Sequence, residues 1–122
     1  MKLTCRHLSG ATVITIAGQV DTTSSARLED YIDEQRRRLD EHVIVDMSRL
    51  SFLDSSGLAV LLAAAALANA HGVGLHLAAL QSMPARLLEI TGALRAVTVY
   101  DHVEQAIAAI EDLDRVSPSE SG

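Results

Sequence analysis

Aromatic side chains are almost missing from this chain. Tyr31, Phe52 and Tyr100 are the whole set, and there is no tryptophan. That leaves no stacking platform for single-stranded bases and requires a core of Leu, Val, Ile and Ala. Cysteine occurs once, at Cys5, which excludes an internal disulfide framework and points to a reducing compartment. Only two residues are proline, and 48% are hydrophobic, so a wholly disordered chain is excluded. Basic residues are scarce: 10 Lys and Arg against 16 Asp and Glu give a net charge of −6, against unguided nucleic-acid binding. The longest apolar run, residues 58–68, falls short of the roughly 20 residues that span a bilayer. The opening residues MKLTCRH lack the apolar stretch of a signal peptide. These absences predict a soluble, cytoplasmic protein with no direct membrane insertion and no nucleic-acid partner. At 122 residues the chain has the size of one domain and can bury a core without metals or disulfides.

What is present alternates in type. Residues 3–8 and the β-branched run 13–17 flank a Ser9-Gly10 turn signal and predict a hairpin. A helix follows, with candidate caps between Asp21 and Ser25 and an apolar stripe of Ala26, Leu28, Tyr31, Ile32 and Leu39. Asp33–Arg37 and Glu34–Arg38 have i,i+4 spacing, so the Arg36-Arg37-Arg38 run is read as a solvated, paired face. Residues 42–46 form a short apolar strand, 48–53 a connection, and Asp54-Ser55-Ser56-Gly57 opens a long helix ending near Gly72. A strand at 73–80, a helix from Pro84 to the Gly92 stop, a strand at 97–100 and a helix at 101–113 capped by Asp101 complete the order. The prediction is an α/β fold, β-β-α-β-α-β-α-β-α. Its mostly parallel mixed sheet has four or five strands and an N-terminal hairpin, with helices packed on it. One domain over residues 1–116 and a disordered tail at 117–122 are expected.

The chemistry concentrates at Asp54-Ser55-Ser56-Gly57. An acid and two serines before an apolar helix are capping residues, in which a side-chain oxygen takes up a free backbone N–H for about 1 kcal/mol. The same helix end also has unpaired N–H groups and a positive dipole end that favour a phosphate. An exposed serine there is open to an enzyme. Phosphorylation would add about −1.5 to −2 charges without demanding a new fold. Gly57 leaves room for close approach. The helix beyond is apolar nearly all round, which calls either for neighbours on more than one side or for a partner.

The segment Phe52-Leu53-Asp54-Ser55-Ser56-Gly57-Leu58-Ala59-Val60-Leu61-Leu62 resembles the signature of the STAS family, the sulfate transporter and anti-sigma factor antagonist domains. Gly18-Gln19-Val20-Asp21, Val43-Ile44-Val45-Asp46-Met47-Ser48 and Leu87-Leu88-Glu89-Ile90-Thr91-Gly92-Ala93-Leu94 resemble further family segments, and the likeness extends over residues 3–113. The resemblance implies a non-enzymatic antagonist that binds an anti-sigma factor serine/threonine kinase and so releases a sigma factor. It implies Ser55 as the phosphorylation site, reset by a serine phosphatase. Asp21, Asp54, Ser55, Ser56, Gly57 and Leu58 would form the partner surface, with Ser56 the lesser acceptor and a cap. Ala59 and Gln19 depart from the residues common at those places. Other STAS proteins serve as scaffold subunits of stress complexes or sit on a transporter ATPase, and a homo-oligomer is compatible with that reading.

Other constellations are thinner. Ser55 lacks a Gly-x-Ser-x-Gly elbow, and only the distant His71, His76 or His102 could complete a triad. Cys5 and His7 share a strand face, but no CxxC or HExxH accompanies them, so no metal is expected. No phosphate-binding glycine motif occurs, so no cofactor is expected and nucleotide would belong to a partner. The five histidines are read as scattered surface or boundary groups, and the acidic C-terminal segment as a solvated helix face.

Overall fold

Gly10, at φ 78°, turns the chain between β1 (Lys2–Leu8) and β2 (Ala11–Val20), which pair antiparallel with Leu8 opposite Ala11. The left-handed conformation costs glycine nothing and suits a tight hairpin. The computed structural model describes residues 1–116. β3 (His42–Leu53), β4 (Leu75–Ala78) and β5 (Thr98–Tyr100) then add in parallel, so the five strands lie in chain order. Parallel neighbours need crossovers. These are α1 (Ser25–Gln35), α2 (Ser55–Ala70), and α3 (Ser82–Thr91) with a short 3-10 turn at Ala93–Arg95. A last helix, α4 (Val103–Val116), follows β5. The element order and the mixed sheet are those expected from the sequence, and the tail expected at 117–122 lies outside the described residues.

Strand alternation sends apolar side chains to both faces of the sheet. On one face Ile14, Ile16, Val43 and Val45 pack against Leu28 and Ile32 of α1, Leu58 and Leu61 of α2 and Leu88 of α3. On the other, Ala11, Val13 and Ile44 meet Ala106 and Ile110 of α4. α2 buries Gly57, Leu58, Leu61, Ala64, Ala65 and Ala68 and turns Ala59, Ala63 and Ala66 outward. Its nearly all-apolar composition is thus one packed face plus an outward face of alanines, with Leu67 37% exposed among them.

Several expectations are corrected. β3 runs through residues 48–53, where a connection was expected. Two register shifts against β2 mark bulges there, and they break the alternation while Leu50 and Leu53 stay buried. α1 stops at Gln35 because Arg36 turns extended at ψ 110°, and Leu39 is left 49% exposed beyond the stripe. Arg37 therefore pairs with Glu41 at 2.9 Å and Arg38 with Asp40 at 2.8 Å, in place of Asp33 and Glu34. Arg36 is not on a solvated face: it is 9% exposed, its Nη2 donates to the Ala64 carbonyl at 3.4 Å, and its buried Nε has no partner. Desolvation lowers its pKa. The cap of α4 is at His102, whose N–H donates to Gln105 Oε1 at 3.1 Å, and not at Asp101. The histidines are not all scattered, since His76 is buried and lies 3.0 Å from His42.

Candidate functional site

β2 and β3 end side by side, with Val20 paired to Leu53 and the Asp54 N–H donating to the Val20 carbonyl at 3.2 Å. The two strand ends therefore deliver Asp21 and Asp54 to one edge of the fold, each just before a helix. At Asp54 the extended backbone (φ −101°, ψ −175°) of an N-cap leads into α2. Asp54 Oδ1 accepts from the Ser56 N–H at 2.9 Å, the Gly57 N–H at 3.2 Å and the Ser56 hydroxyl at 2.5 Å. Asp21 builds a similar turn. Its Oδ1 accepts from the Thr23 N–H at 2.9 Å and the Thr23 hydroxyl at 2.5 Å, and its carbonyl accepts from the Ser25 N–H at 2.9 Å.

The two serines are treated differently. Ser56 is half-buried and its hydroxyl is spent on the Asp54 carboxylate. Ser55 is exposed, and its hydroxyl makes no hydrogen bond among the described residues. Gly57 and Leu58 are buried, so neither offers a side chain to a partner. The room at Gly57 is used inside the fold: a Cβ there would lie 2.6 Å from Leu53 Cδ1 and 2.7 Å from Val20 Cγ1. Glycine is what lets α2 start this close to the ends of β2 and β3.

Both carboxylates are held below their ordinary range. For Asp54 the Ser56 hydroxyl is the main cause, joined by the Gly57 and Ser56 N–H groups, while desolvation and, less, the negative charge of Asp21 oppose it. For Asp21 the hydroxyl and N–H of Thr23 are responsible. The edge therefore stays doubly negative around a free hydroxyl.

The histidines weighed for a triad lie elsewhere. His71 sits past the far end of α2, about 24 Å from Ser55 at 1.5 Å per residue. His76 is engaged by His42 and Tyr100. Among the described residues no group of three or more His, Cys, Asp or Glu could hold a metal ion. No helix among them is long and apolar enough to cross a membrane.

The STAS domain profile matches residues 2–106. The chain belongs to the STAS family. It is 28% identical over 112 residues to the anti-sigma F factor antagonist of Paenibacillus polymyxa, covering 91% of this chain and 96% of that protein. It is 31% identical over 112 residues to BtrV of Bordetella bronchiseptica, a candidate anti-sigma factor antagonist, with the same coverage. Among solved structures it resembles the anti-sigma factor antagonist SpoIIAA in its unphosphorylated form, with TM-score 0.76, 18% identity and coverage of 91% and 97%. The Bacillus SpoIIAA in phosphorylated form superposes with TM-score 0.69 at 19% identity, covering 89% of this chain and 99% of that one. The STAS fold accounts for the mixed sheet and for helix α2 opening at the edge where Asp54 and Ser55 lie.

Proposed function

We propose that this protein is an anti-sigma factor antagonist whose docking edge is gated by phosphorylation of Ser55. The observation that carries the reading is the division of labour between the serines: Ser56 is tied to Asp54, and Ser55 presents an unengaged hydroxyl at the start of α2. The names of the relatives supply the partner class, an anti-sigma factor. In this reading the partner is also a serine kinase holding its own ATP. The Ser55 oxygen forms a bond to the γ-phosphorus, the bond from that phosphorus to the β-phosphate bridge breaks, and the hydroxyl proton leaves to a base of the kinase.

The unmodified edge docks through Asp21, Asp54 and Ser55, with Ser56, Gly57 and Leu58 supporting it from beneath. A phosphate on Ser55 would suit the positive dipole end of α2, so the fold tolerates it. It would also add about two negative charges beside two carboxylates in a close interface, where repulsion and desolvation oppose docking. A loss of about 2.7 kcal/mol weakens binding a hundredfold. A serine phosphatase then restores the docking form. Ser55→Ala is expected to bind the anti-sigma factor and accept no phosphate, whereas Ser55→Glu is expected to bind about a hundredfold more weakly. Calorimetry with the purified partner and phosphosite mapping after incubation with ATP test both. Undiminished binding by Ser55→Glu, or phosphate on Ser56 alone, would overturn the gating.

A further inference from the structure

β4 carries a histidine in an otherwise aliphatic strand. His76 lies across from Ile44 in β3 and Thr98 in β5, and its ring contacts Tyr100, which packs beneath α4. It is 5% exposed. His76 Nε2 is 3.0 Å from His42 Nδ1, and His76 Nδ1 is 3.2 Å from the Tyr100 hydroxyl. The Gly74 N–H donates to His42 Nδ1 at 3.3 Å.

A neutral His76 ring donates through one nitrogen and accepts through the other, and its two nitrogens face His42 Nδ1 and the Tyr100 hydroxyl. A second ring proton would leave both nitrogens donors, remove the bond accepted there and place an imidazolium in a buried layer. Burial, with His42 beside it, pushes His76 down to about 4.

The cover over this chain is thin. Among the described residues the buried hydrophobic side chains of the α4 layer are Ala11, Val13, Ile44, Ala106 and Ile110, with Leu8, Tyr100, Val103 and Ile107 half-buried around them. The opposite layer is built on α1, α2 and α3 and is far larger. The charged and titratable groups of the described residues lie around the histidines as follows. β2 carries none, β4 only His76, and β5 only the Tyr100 phenol. β3 brings His42 and, further along, Asp46 and Arg49. Glu41 precedes β3 and is bound by Arg37 and Thr12. Arg6 of β1 lies in the same register row with two strands between. α4 carries Glu104, Glu111 and Asp112 at exposed positions, and Asp101 and His102 precede it.

We infer that the His42–His76–Tyr100 chain is an acid-sensitive latch for α4, closed while the His76 ring is neutral and opened when it takes up a proton. Opening lifts α4 and uncovers the apolar strip of Ala11, Val13 and Ile44. A ring that titrates as an ordinary histidine in the open state makes opening about twentyfold more favourable at pH 5 than at pH 7.

The test is amide hydrogen exchange by NMR on the full chain, corrected for intrinsic rates, at both pH values. Protection in α4 is expected to fall about twentyfold at the lower pH while α2 changes little. His76→Leu removes the proton acceptor and is expected to level the response of α4. Equal acid loosening in that variant would assign the effect to the α4 carboxylates and overturn the latch. The wild-type ring signals give a check that needs no variant. His76 is expected to stay neutral at pH 5 in the folded protein, and ring signals showing it already protonated at pH 6 would also overturn the proposal.

Discussion

At the residue scale, one carboxylate oxygen and one missing side chain organise the edge. Asp54 Oδ1 takes two backbone N–H groups and the Ser56 hydroxyl, which leaves Ser55 as the exposed hydroxyl. This much was legible in the sequence, because capping is local and Asp-Ser-Ser-Gly before an apolar run spells it out. The role of Gly57 was not. Its sequence neighbours suggest space for a partner, but the atoms that fill the space belong to Leu53 and to Val20, which lies on another strand. Gly57→Ala is therefore a packing change. Val20 is β-branched and held in the core, so it yields little, and the start of α2 has to move. The variant is expected to lose about 1–3 kcal/mol of stability by urea denaturation. Because the same movement displaces Ser55, weaker docking is expected with it. A Gly57→Ala protein as stable as the parent would mean that Leu53 alone absorbs the methyl group.

At the element scale, the departures from the sequence reading have one kind of cause: a local pattern overridden by a contact from far along the chain. Residues 48–53 look like a loop because Ser48, Arg49 and Ser51 interrupt the two-residue alternation. The bulges place the irregularity inside a strand whose Leu50 and Leu53 still reach the core. α1 looks longer than it is because Asp33 and Glu34 have the spacing to pair with Arg37 and Arg38. The chain leaves the helix at Arg36 and threads that side chain against Ala64 of α2. The cost is a buried guanidinium whose bond to the Ala64 carbonyl is long, at 3.4 Å, and whose Nε has no partner among the described residues. A charge in such a place is a poor stabiliser, while its methylene stem packs well. Arg36→Met keeps the stem and removes the charge. It is expected to raise stability by about 1 kcal/mol, read as a higher denaturation midpoint with unchanged slope. A clear loss of stability would show that the bond to the Ala64 carbonyl outweighs the desolvation.

At the scale of the whole molecule, the shifted groups act in a common direction on the acid side. Asp21, Asp40 and Asp54 have folded pKa values below the ordinary 3.8, so their stabilisation is present above that value and is lost as pH falls below it through the folded pKa values. His76 is lowered from 6.5 to about 4, so its contribution is full above 6.5 and drains away between those values. On the alkaline side burial raises Tyr31 and Tyr100 above 10.0, so the unfolded chain ionises first and stability falls as pH rises past that point. The folded state should thus be most stable on a plateau from about pH 7 to about pH 9, well above the sequence pI of 5.2. Below it the decline should come in two stages, a shallow one carried by His76 and a steeper one carried by the carboxylates. Urea denaturation across the pH range reads this directly. His76→Leu should lose the shallow stage and keep the steep one, because the two sets of groups lie at different places in the fold. A single maximum near the pI would instead mean that overall charge repulsion, and not these local bonds, sets the pH dependence.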